Sequence, residues 1–467
     1  MHLENKRVLV LGLGDTGLSA VRWLKRKGAD VRVADSRVAP PHAGLLQKEF
    51  PDVQLDTGSF KDASFQNIDL IVSSPGVAVS EPMIVQAHSG GIPVVGDVEL
   101  FAQAVNRTAS KIIAITGSNG KSTVTSMVGA MCKKAGLNTV MAGNIGLPVL
   151  DALLEVENNA QQGKAEPDVY VLELSSFQLE TTSTLNADAA AVLNVSEDHL
   201  DRYTGMQHYA DSKAKIFQGS GVQILNREDN YCKAMKVPDR TVKTFGVGEP
   251  HSEDEYGLKK KEGSMWLAQG DQALMPVTEL PVAGLHNAVN ALAALALCRS
   301  IGLSFELLIQ GLKGFKGLPH RVEWVLEIGS VNFYDDSKGT NVGATEAALN
   351  GMTEKVVLVA GGDGKGQDFS PLKAAVANHA RAVVLIGRDG DKIKSAITGC
   401  GVPVLRAENM DEAVRLGFMQ AKAGDAVMLS PACASFDMFR NYEHRAQEFV
   451  RAAKELKSEI SLNGAQQ

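Results

Sequence analysis

The chain has 467 residues, 44% of them hydrophobic and 22% charged, enough for two to four buried cores of ordinary domain size. Its formal net charge of −7 excludes a protein whose main task is coating nucleic acid, which needs a basic face; a local basic pocket for a small anion stays open. Five widely spaced cysteines without a CxxC pair, and no apolar run longer than 291–298, fit reduced thiols in a soluble cytoplasmic protein with no membrane partner. The apolar run near the start is too short and too rich in glycine for a secretory signal.

Residues 7–11 read as a strand and 17–27 as a helix, with Leu18, Val21 and Leu24 on one face and Gly28 placed to end it. Strands follow at 31–34 and 70–73. Alternation of apolar strands with helices predicts a parallel sheet covered on both sides. A second unit begins near 97, with a strand at 111–116, a helix at 121–134 and buried strands at 169–173 and 189–194. The polar, turn-rich stretch 252–281 predicts a small antiparallel addition, and 285–301 a strongly apolar helix. After the Gly/Pro-containing link 311–319, strands at 331–335, 356–360, 382–386 and 426–429 alternate with helical patterns, the last of them after Phe439. The tail beyond Leu462 is expected to fray. The chain reads as α/β in three domains, 1–96, 97–317 and 318–467. Ligands of such domains bind in clefts at the carboxyl ends of strands.

Gly12-Leu13-Gly14-Asp15-Thr16-Gly17 opens the first helix, and Asp35 closes the second strand about twenty residues on. Alone, this pattern fits NAD(P), another nucleotide diphosphate, or a tight turn. The second glycine loop is more specific. Gly117, Ser118, Asn119 and Gly120 link a buried strand to a helix that starts Lys121-Ser122-Thr123. Backbone N–H groups of such a loop surround phosphate, and the helix N-terminus adds partial positive charge. Lys121 would reach the β- and γ-phosphates of ATP, and Ser122 or Thr123 would hold Mg²⁺. The first glycine of the usual pattern is missing, since Ile115 stands there.

Glu173 ends a strand beside this loop; it suits Mg²⁺ or is a solvated strand-end carboxylate. His199, in a polar turn after another strand, suits a metal or phosphate, and Asn144 offers a neutral donor. Lys213 is, by spacing alone, a solvated lysine. Asn287 and Asn290 share one helix face, and Lys365 lies in a glycine-rich turn. Cys433 has no indicated partner that would make it a nucleophile.

Together, ITGSNGKST (115–123), LELSSFQLE (172–180), NVSEDHLDRY (194–203), GLHNAVNALAA (284–294), GLPHRVE (317–323), DDSKGTNVGA (335–344), GGDGKG (361–366) and SPACASFDMFRN (430–441) resemble the Mur ligase family across the whole chain. The resemblance implies a Rossmann-like UDP-binding domain, a central P-loop ATPase-like domain and a C-terminal Rossmann-like amino-acid domain. Segments 336–341 and 430–435 are similar to the D-glutamate-adding branch, and no DNPR-like motif of the diaminopimelate- or lysine-adding branch occurs. The implied reaction phosphorylates the carboxylate of UDP-N-acetylmuramoyl-L-alanine with ATP and joins it to D-glutamate, in the cytoplasmic stage of peptidoglycan synthesis; a monomer is expected.

Roles follow by motif. Lys121 and Ser122 resemble the phosphate lysine and metal hydroxyl, Glu173 a Mg²⁺ ligand, His199 a ligand of a second Mg²⁺ near the acyl group, and Asn144 a substrate contact. Lys213 resembles a lysine carried as a carbamate, with Lys215 the alternative. Asn287, Asn290, Arg321 and Asp336 resemble ATP contacts, the last two reached when the third domain closes. Asp15, Thr16, Asp35, Ser36, Arg37 and Ser74 resemble the uridine-diphosphate site. Lys338, Thr340, Lys365, Ser435, Phe436 and Tyr442 resemble the D-glutamate pocket, where cations and N–H donors meet two carboxylates. Gly339 and Tyr442 depart from the expected Ala and Phe.

Overall fold

Apolar runs bounded by glycine or polar residues become the strands of three sheets. The computed structural model describes residues 2–106, 108–282 and 284–464. Strands β1 (Arg7–Leu11), β2 (Asp30–Asp35), β3 (Gln54–Thr57), β4 (Leu70–Ser73) and β5 (Val94–Val95) form the first sheet, in the order β3-β2-β1-β4-β5 and parallel throughout. The order reverses beside β1, which opens a crevice at the carboxyl end of β1 and β4.

The second sheet is built on β6 (Lys111–Thr116), β7 (Thr139–Gly143), β8 (Val169–Glu173), β9 (Ala189–Val192), β10 (Val222–Asn226) and β11 (Val242–Phe245). It continues through β12 (Glu255–Lys261), β13 (Ser264–Gln269) and β14 (Gln272–Pro276), in the order β14-β13-β12-β11-β10-β9-β6-β8-β7. The predicted antiparallel addition is therefore the edge of this sheet: β12 joins β11 in parallel, and only the β12–β13 and β13–β14 pairs are antiparallel. Within the helix Leu285–Ser300, residues 291–298 are apolar on every side, and all of them are fully buried.

The third sheet holds β15 (Glu323–Ile328), β16 (Val331–Asp335), β17 (Val356–Gly361), β18 (Ala380–Ile386), β19 (Val404–Arg406) and β20 (Ala426–Leu429), in the order β15-β16-β20-β17-β18-β19. Only the β15–β16 pair is antiparallel. The last helix, Tyr442–Gly464, extends past Leu462, where fraying was expected; 465–467 lie outside the described residues. No helix among the described residues is long and apolar enough to cross a membrane.

Two compact units carry these sheets. One comprises Met1–Val195, Gln207–Pro276 and Ala291–Gly314, with the first two sheets; the other comprises Ser196–Met206, Val277–Asn290 and Phe315–Gln467, with the third. The expected three domains divide the chain differently: they separate the first two sheets and place 196–206, 277–290 and 315–317 with the central one. For 196–206 the contacts are local: Asp198 accepts from Lys365 and Asn341, and Glu197 from the backbone of Asp368.

The first glycine turn is held by close packing. Gly12 has φ 86°, and a Cβ on Gly17 would lie 1.8 Å from the Gly12 carbonyl oxygen. A Cβ on Gly14 would meet nothing within 4 Å. Gly17→Ala is expected to destabilise by about 2 kcal/mol through overpacking, while Gly14→Ala costs under about 1 kcal/mol; urea unfolding followed by circular dichroism measures both.

Candidate active site

The phosphate loop begins where β6 ends. Gly120 has φ 85°, and a Cβ on Gly117 would crowd Leu193 Cβ at 3.0 Å. Asn194, two residues beyond β9, clamps the loop. Its carbonyl accepts the Ser118 N–H at 2.9 Å, its Oδ1 accepts the Asn119 N–H at 2.8 Å, and its Nδ2 donates to the Asn119 carbonyl at 3.0 Å. Two of the N–H groups read as phosphate donors therefore hold the loop itself. Sequence reasoning passed over Asn194 as a role-bearing residue, although its place just after a strand that flanks the loop strand was a usable signal.

Two lysines converge on one carbonyl. Lys121 Nζ donates to the Gly117 carbonyl at 2.9 Å and to that of Ser118 at 3.0 Å. Lys213 Nζ, 1% exposed, donates to the same Gly117 carbonyl at 2.9 Å and lies 4.4 Å from the centre of the Tyr209 ring. The Tyr209 hydroxyl is 3.2 Å from Ser118 Oγ. Helix Met206–Ala214 thus delivers Lys213 to the loop, whereas Lys215 donates to the Glu180 carbonyl at 2.7 Å.

Glu173 closes β8 and pairs in register with Ile115 of β6 and Gly143 of β7, so it emerges beside the loop strand. It is 1% exposed. Its Oε1 accepts from Asn144 Nδ2 at 2.8 Å, and its backbone carbonyl accepts the Asn144 N–H at 2.8 Å. Its Oε2 is buried without a hydrogen-bond partner among the described residues. An orphaned buried carboxylate oxygen is costly in a dry site and is a hard ligand suited to a divalent cation. With the buried Ser122 hydroxyl at the start of the adjoining helix, the donors present fit Mg²⁺. Lys213 as an ammonium has donors only and cannot be a ligand in that state.

A cavity of about 550 Å³ opens at the reversal of the first sheet. Asp15, Thr16, Asp35, Ser36, Arg37 and Ser74 all line it, and so do Asn144 and Gln178. Asp35 is fully engaged: Oδ2 accepts the Leu13 N–H at 2.7 Å and Arg37 Nη2 at 2.6 Å, and Oδ1 accepts Arg37 Nε at 2.9 Å. The Arg37 guanidinium holds this carboxyl down at about 2. An NAD-type site wants that carboxylate accepting from a ribose hydroxyl, and here Arg37 occupies both oxygens.

The second unit contains the remaining predicted residues. Asp198 accepts from Lys365 Nζ at 2.6 Å and from Asn341 Nδ2 at 3.3 Å, and lies 3.5 Å from the ring of His199. Asp336 Oδ2 accepts from Ser430 Oγ at 2.6 Å, and burial pushes its carboxyl up to about 7 despite the nearby Arg321. Lys338 Nζ lies 3.9 Å from the centre of the Tyr442 ring, and the Thr340 N–H donates to the Lys338 carbonyl at 2.9 Å. Ser435 is buried, while Phe436 is 74% exposed. Asn290 Nδ2 is 3.4 Å from Asn287 Oδ1, a long contact along one helix face. A Cβ on Gly339 would lie 2.6 Å from Asp336 Oδ2, a local reason for glycine where alanine was expected. His199, His320, Val322, Lys365 and Ala432 all have positive φ, so left-handed strain gathers around these loops. Burial pushes the Cys433 thiol up to about 12, which leaves no thiolate at neutral pH.

Residues 6–96 match the model of the Mur ligase MurD-like N-terminal domain, 115–298 the Mur ligase middle domain and 320–433 the Mur ligase glutamate ligase domain. The chain belongs to the Mur ligase family, whose members are ATP-dependent amide ligases that generally use Mg²⁺. It is similar to the UDP-N-acetylmuramoylalanine--D-glutamate ligase of Methylobacillus flagellatus, 57% identical over 462 residues and covering 99% of this chain and 100% of that one. The enzyme of the same name from Thiobacillus denitrificans is 58% identical, with 98% of each chain covered. Among solved structures, the UDP-N-acetylmuramate-alanine ligase of Thermotoga maritima shares the fold with a TM-score of 0.61 at 20% identity, covering 97% of this chain and 100% of that one. The FolC structure from E. coli has a TM-score of 0.56 at 17% identity and covers 77% of this chain and 94% of that one.

The Asp35 carboxyl, lowered from 3.8 to about 2, contributes stability that is fully present above its unfolded value and is lost as pH falls through its folded value. Asp35→Asn is expected to be less stable than the wild type at neutral pH, with the gap closing as pH falls from 3.8 towards 2. Urea midpoints of the two proteins across this range measure it.

Proposed function

We propose that this chain uses ATP to join D-glutamate to UDP-N-acetylmuramoyl-L-alanine, in the cytoplasmic stage of peptidoglycan precursor synthesis. Full-length similarity to enzymes named for that reaction supports the reading. One observation of geometry carries it: Asn144 both lines the 550 Å³ cavity and donates to Glu173 at 2.8 Å, beside the phosphate loop. The wall of a nucleotide-sized cavity and the phosphate end of an ATP site are thus joined through one side chain. A folylpolyglutamate-type ligase is the weaker reading, because the FolC structure covers only 77% of this chain and a folate needs no such cavity.

In this reading the cavity holds the UDP part, with Thr16, Ser36 and Arg37 as donors and Ser74, whose hydroxyl donates to the Gly12 carbonyl at 3.0 Å, on its wall, and the substrate carboxylate comes to Asn144. The carboxylate oxygen attacks the γ-phosphorus and the bond to ADP breaks. The D-glutamate amine then attacks the acyl carbon of the acyl phosphate. The tetrahedral intermediate expels phosphate, and the amine gives up its proton. Lys121 neutralises phosphate charge as the two anions meet. Mg²⁺, when bound, offsets the repulsion between the γ-phosphate and the carboxylate. Ser122 and Glu173 would hold it, with His199 for a second ion. Asn287, Asn290, Arg321 and Asp336 serve ATP, and Lys338, Thr340, Lys365, Ser435, Phe436 and Tyr442 serve D-glutamate. Domain limits at 96/97 and 317/318 belong to the same reading, as does a monomer.

Lys213 completes the set as a carbamate. Its neutral amine takes up CO₂ and loses a proton, which replaces an amine by a carboxylate-like hard oxygen ligand. Its place at 2.9 Å from the Gly117 carbonyl supports Lys213 over Lys215.

Phosphate release with UDP-N-acetylmuramoyl-L-alanine and ATP is expected to depend on D-glutamate, and Lys121→Ala to lose at least about a thousandfold in kcat. Equal turnover with L-glutamate would sink the assignment. For Lys213, a carbamate resonance is expected in ¹³CO₂-equilibrated protein, and Lys213→Ala is expected to regain activity with a short carboxylic acid. A lysine that stays unlabelled and is dispensable refutes the carbamate.

A further inference from the structure

Two carboxamides on the cavity wall, those of Asn144 and Gln178, are each held from behind by a buried carboxyl. Glu173 holds Asn144, and Asp97 Oδ2 accepts from Gln178 Nε2 at 3.3 Å. The remaining oxygen of each carboxyl, Glu173 Oε2 and Asp97 Oδ1, is buried without a partner among the described residues. For Glu173 a cation explains the orphan; Asp97 has no such role in the reaction described above.

Asp97 is 1% exposed and opens the helix Asp97–Val105. The residue before it, Gly96, packs against the C-terminal end of the helix Ser176–Glu180, since a Cβ on Gly96 would lie 2.3 Å from Thr181 Oγ1. Glu99, two residues along, already fastens this helix to the segment after Thr181: its carboxylate accepts the N–H groups of Ser183 and Thr184 at 2.7 and 2.9 Å. Attachment of the helix therefore does not require a second buried carboxyl. What Asp97 adds is an acceptor for the Nε2 side of the Gln178 amide. That amide's Oε1 is taken by the Ser175 N–H at 3.1 Å in a capping box, and one N–H goes to Asp97. Its second N–H is left as a donor on the cavity wall.

We infer that Asp97 is a positioning residue for the UDP-linked substrate, acting through Gln178 on the cavity wall. This rests on the reading of the cavity as the UDP site. Burial pushes the Asp97 carboxyl up to about 6, yet Oδ2 stays an acceptor for Gln178 whether the group is ionised or protonated on the unpartnered Oδ1. An asparagine offers the same acceptor.

Steady-state kinetics on the full-length enzyme test this. D97A is expected to raise KM for UDP-N-acetylmuramoyl-L-alanine about tenfold, with kcat and KM for ATP within about threefold of wild type. D97N is expected to restore KM to within about threefold. Q178L is expected to match D97A, and the double variant to be no worse than either single one. E99Q, on the same helix, is expected to lower Tm without moving KM. D97S, too short to reach Gln178, gives the same reading should D97A fail to fold. Unchanged KM in D97A or D97S, additive effects in the double variant, or an E99Q profile that matches D97A would overturn the role. Absence of D-glutamate-dependent turnover in the wild type would instead remove the functional reading, and this inference with it.

Discussion

The carbonyl oxygen of Gly117 accepts from two lysine side chains at 2.9 Å each, Lys121 and Lys213. This convergence depends on a loop in which a Cβ at Gly117 would crowd Leu193 and which Asn194 holds from beyond the neighbouring strand. It gathers two lysine side chains at the end of β6, while Glu173 leaves one carboxylate oxygen unsatisfied at the end of β8. Without ligands, both features are costly. They become favourable when phosphate oxygens meet Lys121 and a cation meets the carboxylate, which is the preorganisation that phosphoryl transfer requires.

The cavity follows the same logic at lower charge. Its amides are neutral donors, but each is oriented by a buried carboxyl, so the wall presents fixed N–H groups without adding net charge beside an anionic substrate. Among these donors Arg37 is charged, and Asp35, also on the cavity wall, fixes its guanidinium. In the second unit, acids again position donors. Asp198 holds Lys365 and Asn341, Asp335 holds His320 at 2.6 Å, and Asp336 takes the Ser430 hydroxyl. Strained residues cluster there, as expected of loops shaped for a ligand rather than for stability.

Much of the fold was legible in the sequence. Strands such as 70–73, 111–116, 169–173 and 426–429 have the bounds that apolar runs and their polar borders predict, because fully buried parallel strands leave an unbroken hydrophobic record. Short or half-exposed strands such as β3, β5, β11 and β19 left none and were missed. Among site residues, the glycine loop and Glu173 stood out through position after a strand. Lys213 carried no local signal; only the turn of helix Met206–Ala214 onto the loop distinguishes it from Lys215, two residues away.

The sequence by itself determined the α/β class, the nucleotide loops and the candidate chemistry. These depend on residue type and local spacing, which a linear chain records directly. Only the tertiary structure decided which side chains share an atom: two lysines on the Gly117 carbonyl, Asn144 and Gln178 on one cavity wall, and Asp198 with the third sheet's loops rather than the second's. Those pairings join residues up to 167 positions apart, and strand order and burial set them, neither of which local patterning encodes.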